Sequence, residues 1–385
     1  MAGQAAIVGV GATPYYFRGE SAPRTIYELI GQAALAATAD AGLGIADVDG
    51  LAFYASGFEP GLITEMLGIS EINFAATVAA QGGGSAGILD LAAMAIETGR
   101  AKAVLCIGAC QQSTRRYGLT FSNLAVTPDG VWARAAGLTG GPGQTFALVA
   151  RRYMHKFGIR REAFAEVVMA SRAYAANRPG ALRRKPLSLD DYMASPMLAD
   201  PLCRLDFCLE TDGALAFLVT SAERARDLAQ RPVHIAASAH GGSGDWGRSF
   251  FWLNMPDEMF TSAGAEHTAK RLYAQAGIGP GDIDVALLYD HFSPLVLLQL
   301  EDYGFCGRGE GGAFVEAGAI RPAGIIPVNP HGGHLSEAYV IGMTHIREAV
   351  EQLRGTATNQ VADAEFALVT GGPAPIPMSG AILRR

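Results

Sequence analysis

Apolar residues come along this chain in short dense runs, separated by glycine-rich turns and by stretches with helical spacing. The N-terminal Val/Ile/Gly run, GLAFY at Gly50–Tyr54, AVLCIGA at Ala103–Ala109 and EFALVTGG at Glu365–Gly372 read as buried strands. Between them, amphipathic segments such as ALVARRYMHKFGIRREAFAEVVMASRAYAAN read as helices. The alternation of the two predicts an α/β fold with helices packed on sheets.

The pattern repeats itself. ADAGLGIADVDGLAFY, ending at Tyr54, lies without a gap on AQAGIGPGDIDVALLY, ending at Tyr289, so that Gly42 meets Gly277, Asp47 meets Asp282 and Asp49 meets Asp284. Both copies read as a helix end, a glycine turn, an Asp-x-Asp step and a buried strand. A second echo follows in the same order: QGGGSAGILDLAAMAIETG resembles HGGHLSEAYVIGMTHIREAV, each read as a glycine cluster opening a helix. Two similar halves are expected, residues 1–228 and 229–385. The polar, helical stretch at about 118–202 is read as an insertion in the first half, placed to build the mouth of a site.

Composition narrows the function. With 385 residues, 49% hydrophobic and 17% charged, the chain can bury a large core. A net charge of -7 argues against broad nucleic-acid binding. No run is long and apolar enough to predict a membrane span, and the N-terminus lacks the features of a signal peptide, so a cytoplasmic protein is expected. Cysteines 106, 110, 203, 208 and 306 fit no disulfide framework or zinc motif and read as reduced. The histidines show no metal-ligand spacing, and His334 and His345 read as structural. GVGATP at Gly9–Pro14 opens like a dinucleotide turn but lacks the third glycine.

Glycine clusters at Gly82–Gly84, Gly332–Gly333 and Gly371–Gly372 suggest another chemistry. A glycine-opened helix leaves N–H groups free to hold an oxyanion. In the setting of YDHFSPLVLLQLEDYGFCGRGEGGAFVE and NPHGGHLSEAYVIGMTHI, these clusters give the chain a resemblance to thiolases, over nearly its whole length. It is most similar to the lipid-transfer, or sterol-carrier, branch. The resemblance implies the thiolase fold, two similar halves stacked as an αβαβα five-layer sandwich.

Departures from the family pattern imply the function. The position of the thiolase nucleophilic cysteine falls on Gly82 or a glycine beside it, and the last cysteine falls near Val369. The active-site histidine falls on Tyr339, and the Asn of the Asn-Glu-Ala-Phe motif falls on Tyr289. This pattern is similar to the thiolase-fold aldolases of steroid side-chain degradation, which implies retro-aldol cleavage of a β-hydroxyacyl-CoA with Tyr289 and Tyr339 as the catalytic pair. One phenol would act as base and the other as acid; a phenol starts near pKa of about 10, so the site is expected to help one of them. Asp290, His291 and His331 are expected to orient or tune the pair, and the N–H groups of Gly82, Gly83 and Gly371 to hold the thioester oxygen.

For the CoA phosphates, Arg115, Arg116, Arg183, Arg184 and Lys185 are candidates. The chain is expected to need no cofactor or metal of its own, coenzyme A being part of the substrate. The resemblance also implies a homodimer and a small partner subunit with a zinc ribbon and an OB-type domain. Two rival readings stay open: an acyltransferase using Cys110 or another thiol, and a non-catalytic acyl-CoA or lipid-binding protein.

Overall fold

The computed structural model describes residues 4–54, 59–78, 83–113, 131, 134–138, 141–242, 257–372 and 377–385. Strands β1 (Ala5–Ala12), β2 (Tyr16–Phe17), β3 (Gly50–Tyr54), β4 (Phe74–Val78) and β5 (Ala103–Gln111) come from the first part of the chain. β6 (Met197–Ala199) and β7 (Leu202–Cys203) form a separate ribbon, and β8 (Thr211–Ser221) returns to the main sheet. β9 (Val233–Gly241), β10 (Val285–Leu287), β11 (Phe366–Thr370) and β12 (Met378–Arg384) complete it.

The sheet consists of two halves of the same design. In the first, β3 runs parallel to β5, β5 antiparallel to β8, and β8 antiparallel to β1. In the second, β10 is parallel to β11, β11 antiparallel to β12, and β12 antiparallel to β9. β1 and β9 pair at Ala6–His234 and Ile7–Val233, joining the halves.

The echoed residues perform the same task in each half. Gly42 and Gly277 are both left-handed, with φ of 72° and 70°, a conformation that glycine adopts without a Cβ penalty. Asp47 and Asp282 accept the N–H groups of Gly44 and Gly279 at 3.0 and 2.8 Å. Asp49 accepts the N–H groups of Lys102 and Ala103, both at 2.9 Å, and ties the start of β3 to that of β5. Asp284 does the same for β10 and β11 through Glu365 and Phe366, at 2.8 and 2.9 Å.

Helices fill three layers around the two half-sheets. Helix α1 (Ile26–Asp40) and helix α2 (Pro60–Leu67) cover the outer face of the first half. Helix α3 (Gly87–Glu97) lies in the middle, facing strands of both halves. Helices α4 (Pro142–Phe157), α5 (Arg161–Asn177), α6 (Glu266–Ala276) and α7 (Ser293–Asp302) pack outside the second half. Helix α8 (Met343–Arg354) joins α3 in the middle layer. The layers alternate αβαβα, because each half-sheet has two apolar faces to bury. Among the described residues no helix is long and apolar enough to cross a membrane.

The glycines of GVGATP serve packing. A Cβ on Gly9 or Gly11 would come 2.0 Å from the carbonyl oxygens of Ala37 and Ala33 in α1. β1 can therefore lie against α1 only without side chains there. Gly11→Ala should lower unfolding free energy by about 3 kcal/mol in denaturant titration; wild-type stability would contradict this close approach.

Candidate active site

Tyr289 lies two residues past the end of β10, and its backbone is fixed on both sides. Its N–H donates to Thr370 Oγ1 at 2.9 Å, and its carbonyl accepts Gln299 Nε2 at 2.9 Å. Thr370 Oγ1 in turn donates to Gln299 Oε1 at 2.6 Å, which locks the end of β11 to α7. Gln299 is fully buried with its amide satisfied, so this brace is stable within an apolar core.

Tyr339 arrives from a different segment. The glycine pair ahead of it does not start a helix as the sequence suggests. Gly332 and Gly333 are left-handed, with φ of 102° and 58°, and lead into one wide π-type turn over Gly333–Glu337. Ala338 is extended, and α8 begins only at Met343, after left-handed Gly342. Tyr339 thus sits in the span between turn and helix, with its carbonyl accepting Thr211 Oγ1 at 2.5 Å and Cys110 Sγ at 3.2 Å.

The two segments bring the phenols together. Tyr289 Oη and Tyr339 Oη are 2.9 Å apart, a hydrogen bond that either can donate, and the rings meet edge to face. Both side chains are buried, at 1% and 8% exposure. Burial pushes the Tyr289 phenol well above its ordinary value, and the neighbouring phenols Tyr339 and Tyr54 add to the rise. Of the pair, Tyr289 is therefore not the phenol whose ionisation the surroundings ease, and it remains a protonated hydroxyl.

Around the pair stand imidazoles and one carboxylate. Asp290 accepts the N–H groups of His334 and Leu335 at 2.9 and 3.3 Å, and His345 Nε2 lies 3.2 Å from it. Asp290 therefore holds the glycine turn from inside and does not touch the phenols through any of these bonds. His291 packs edge-on against Tyr289, and burial lowers its pKa to about 3. His331 lies farther back, ring to ring with His345 and 3.9 Å from Glu337, and burial holds it well below the ordinary histidine value. Being neutral, these two imidazoles supply no positive charge to a phenolate.

His334, read from sequence as structural, packs edge-on against both phenols, with ring centroids at 4.5 Å from Tyr289 and 5.0 Å from Tyr339. Sequence reasoning also missed Gln299, Thr370 and Thr211; they hold backbone atoms of the two tyrosines, and no spacing rule marks such contacts. The one available signal was the placement of His334 beside the glycine pair.

Among the described residues, Asp290, His334 and His345 bring three ligand-type atoms within 4.8 Å of one another. His345 Nε2, however, lies between two acceptors, Leu288 O at 2.9 Å and Asp290 Oδ1 at 3.2 Å. That nitrogen must carry hydrogen, so it has no lone pair to offer an ion.

The expected oxyanion donors divide. Gly82 lies outside the described residues. The Gly371 N–H is taken by Ser379 O at 2.7 Å, because β11 and β12 continue pairing past Thr370. It is therefore not free to hold a thioester oxygen. Gly83 packs directly over Gly371, where a Cβ would come 2.3 Å from the Gly83 carbonyl, and Gly83 is the remaining candidate of the three. Nearby Ser85 is buried with its hydroxyl unpartnered, close to Gly342 and the Tyr289 ring.

Of the basic candidates, Arg115 and Arg116 lie outside the described residues. Arg183, Arg184 and Lys185 are exposed; the Arg183 guanidinium sits over the Phe17 ring at 4.7 Å, and Arg184 caps the Ala176 carbonyl of α5. Cys110 is buried against the carbonyls of Tyr339 and Thr211, with its thiol pushed well above its ordinary value by burial. It is unsuited to replace the missing nucleophile.

A duplicated half in this strand order, with α3 and α8 buried between the two sheets, defines a thiolase-like fold. The family described as Thiolase C-terminal domain-like matches residues 252–381. The chain is 41% identical over 391 residues, covering 100% of both chains, to the 17-hydroxy-3-oxo-4-pregnene-20-carboxyl-CoA lyase of Mycobacterium tuberculosis. It is 40% identical over 389 residues, 99% of this chain and 98% of the relative, to a steroid side-chain-cleaving aldolase of Thermomonospora curvata. Among solved structures, the Ltp2-ChsH2(DUF35) aldolase superposes with a TM-score of 0.91 at 39% identity, covering 100% of this chain and 98% of that one. The chain belongs to the thiolase superfamily and, within it, to the steroid side-chain-cleaving aldolases.

The burial of His291 carries a pH signature. Its ring resonances should stay constant from pH 8 to pH 5 in NMR spectra of selectively labelled protein, since its pKa of about 3 lies below that window. A midpoint near 6.5 would mean that the ring is solvated and able to carry charge.

Proposed function

We propose that this protein cleaves the Cα–Cβ bond of a β-hydroxyacyl-CoA, a steroid side-chain thioester, to a ketone or aldehyde and a shortened acyl-CoA. The observation that carries this reading is the pair of buried phenols hydrogen-bonded at 2.9 Å. The names of the similar lyase and aldolase support the substrate class.

The reaction needs a base for the β-hydroxyl proton, a stabiliser for the thioester enolate and an acid for its carbon. When the hydroxyl O–H electrons become the carbonyl π bond, the C–C electrons pass to the thioester as an enolate. A proton then adds to the enolate carbon. No covalent adduct forms, so the absence of a well-placed thiol costs nothing.

Two hydrogen-bonded neutral phenols can carry that proton without a standing phenolate. One accepts the hydroxyl proton as it passes its own to the other, which delivers its proton to carbon. The raised value of Tyr289 favours this concerted relay over a resting ionised base. The Gly83 N–H, beside the N-terminus of α3, is assigned to the thioester oxygen. Arg183, Arg184 and Lys185 are assigned to the CoA phosphates, and Arg183 approaches the site through its N–H bond to Ser336 O at 2.9 Å.

The similar solved aldolase is named for two components. We assign this chain likewise to a homodimeric core with a small zinc-ribbon and OB-fold partner, working in the cytoplasm. The test is turnover of a β-hydroxy steroid thioester by the purified chain, with and without such a partner. Tyr339→Phe and Tyr289→Phe should each lower turnover by about 10²-fold or more with thioester binding retained. Wild-type turnover in either variant would remove that phenol from the chemistry, and binding without cleavage by the wild type would favour a lipid-binding protein.

A further inference from the structure

The segment that carries Tyr339 is held from behind by a buried charge cluster that the cleavage chemistry does not use. Arg178 directly follows α5, and its side chain is 7% exposed. Nε donates to Glu337 Oε1 at 2.8 Å, while Nη1 donates to Glu351 at 2.6 Å and lies 3.3 Å from Glu348. Glu337, two residues ahead of Tyr339, is 1% exposed.

The chain after Arg178 binds the same segment. The N–H groups of Leu182 and Arg183 donate to the carbonyls of Glu337 and Ser336 at 3.0 and 2.9 Å. Ser171 and Arg172 reach Ser336 Oγ at 2.9 and 3.1 Å. Just beyond Tyr339, Ile341 takes φ of +44°, a left-handed conformation for a β-branched residue. Such a conformation is strained for a branched side chain and persists only where the surroundings enforce it.

The cluster does not balance its charge. Arg178 and Arg347 face Glu337, Glu348 and Glu351, with the Tyr15 hydroxyl on Arg347 and His331 Nε2 at 3.9 Å from Glu337. Three carboxylates against two guanidinium groups leave one negative charge in a cluster whose Glu337 and Glu348 are buried, and a bound proton relieves it. Glu337 Oε2, Glu348 Oε2 and Arg178 Nη2 are buried without hydrogen-bond partners.

We propose that Arg178 and Glu337 are positioning residues for the aldol site: their ion pair seats the Tyr339 segment so that its hydroxyl meets that of Tyr289. The proposal rests on the reading of the two phenols as the catalytic couple. Burial pushes both Glu337 and Glu348 up to about 7, against the opposing pull of Arg178. The Glu337–Glu348 pair is ionised above that value and takes up a proton below it. The seat is therefore complete on the alkaline side, and turnover should rise with pH through about 7.

The test uses the full chain with its partner and three variants: Glu337→Gln, Arg178→Lys and Tyr339→Phe. Glu337→Gln should lower kcat by about tenfold or more with KM changed less than about twofold, and should flatten the pH profile near neutrality. A crystal structure of that variant should show the two phenol oxygens beyond hydrogen-bond reach. Arg178→Lys keeps the charge and should recover most of the turnover that a neutral residue there would lose. Wild-type kcat and pH profile in Glu337→Gln, or a loss of thermal stability alone, would overturn the proposal. If Glu337→Gln does not fold, an Arg178→Lys pH profile shifted from wild type supports the proposal and an unshifted one overturns it. If Tyr339→Phe turns over normally, the catalytic reading fails, while the phenol spacing in Glu337→Gln still decides the positioning role.

Discussion

A hydrogen bond between the hydroxyls of Tyr289 and Tyr339 spans two segments that share no secondary structure, and residues from both halves of the molecule hold it at 2.9 Å. A phenol has two side-chain torsions, so fixing its oxygen means fixing the backbone beneath it. For Tyr289 this falls to a strand end braced by Thr370 and Gln299. For Tyr339 it falls to a loop latched in front by Thr211 and Cys110 and bound behind by the chain around Arg178. Asp290 links the two systems, since it neighbours Tyr289 in sequence and accepts N–H groups from the turn that leads to Tyr339.

The electrical character of this corner follows from its burial. Three imidazoles, His291, His331 and His334, are held below their ordinary values by burial, and the Tyr289 phenol is held above its own. All of these groups rest in uncharged forms. With Asp290 as the one carboxylate, engaged by the turn and by His345, the neutral groups next to the phenols suit a reaction in which a proton leaves oxygen and arrives at carbon with no net change in charge.

The architecture was legible in the sequence wherever a short-range bond fixed it. Asp49 and Asp284 each tie a strand to its neighbour from a fixed place after a glycine turn, so the repeat survives as an ungapped match. Where distant chain decides, the sequence misleads. The glycine pair before Tyr339 looks like a helix opening, yet two left-handed residues confine it to one turn. The Gly371 amide looks available, yet Ser379, on the adjoining strand, takes it. His334 looks structural because its neighbours on both sides of the ring are assembled only by the fold.

Gly342 separates the Tyr339 span from α8, with φ of +87°. A single methyl there would press within 2.6 Å of Ser85 Cβ and 2.9 Å of the Tyr289 ring. The clearance between the turn that opens the core helix of one repeat and the reactive edge of the other is thus one hydrogen atom wide. Any side chain larger than glycine's hydrogen at 342 must therefore displace either the turn that opens α3 or the ring of Tyr289.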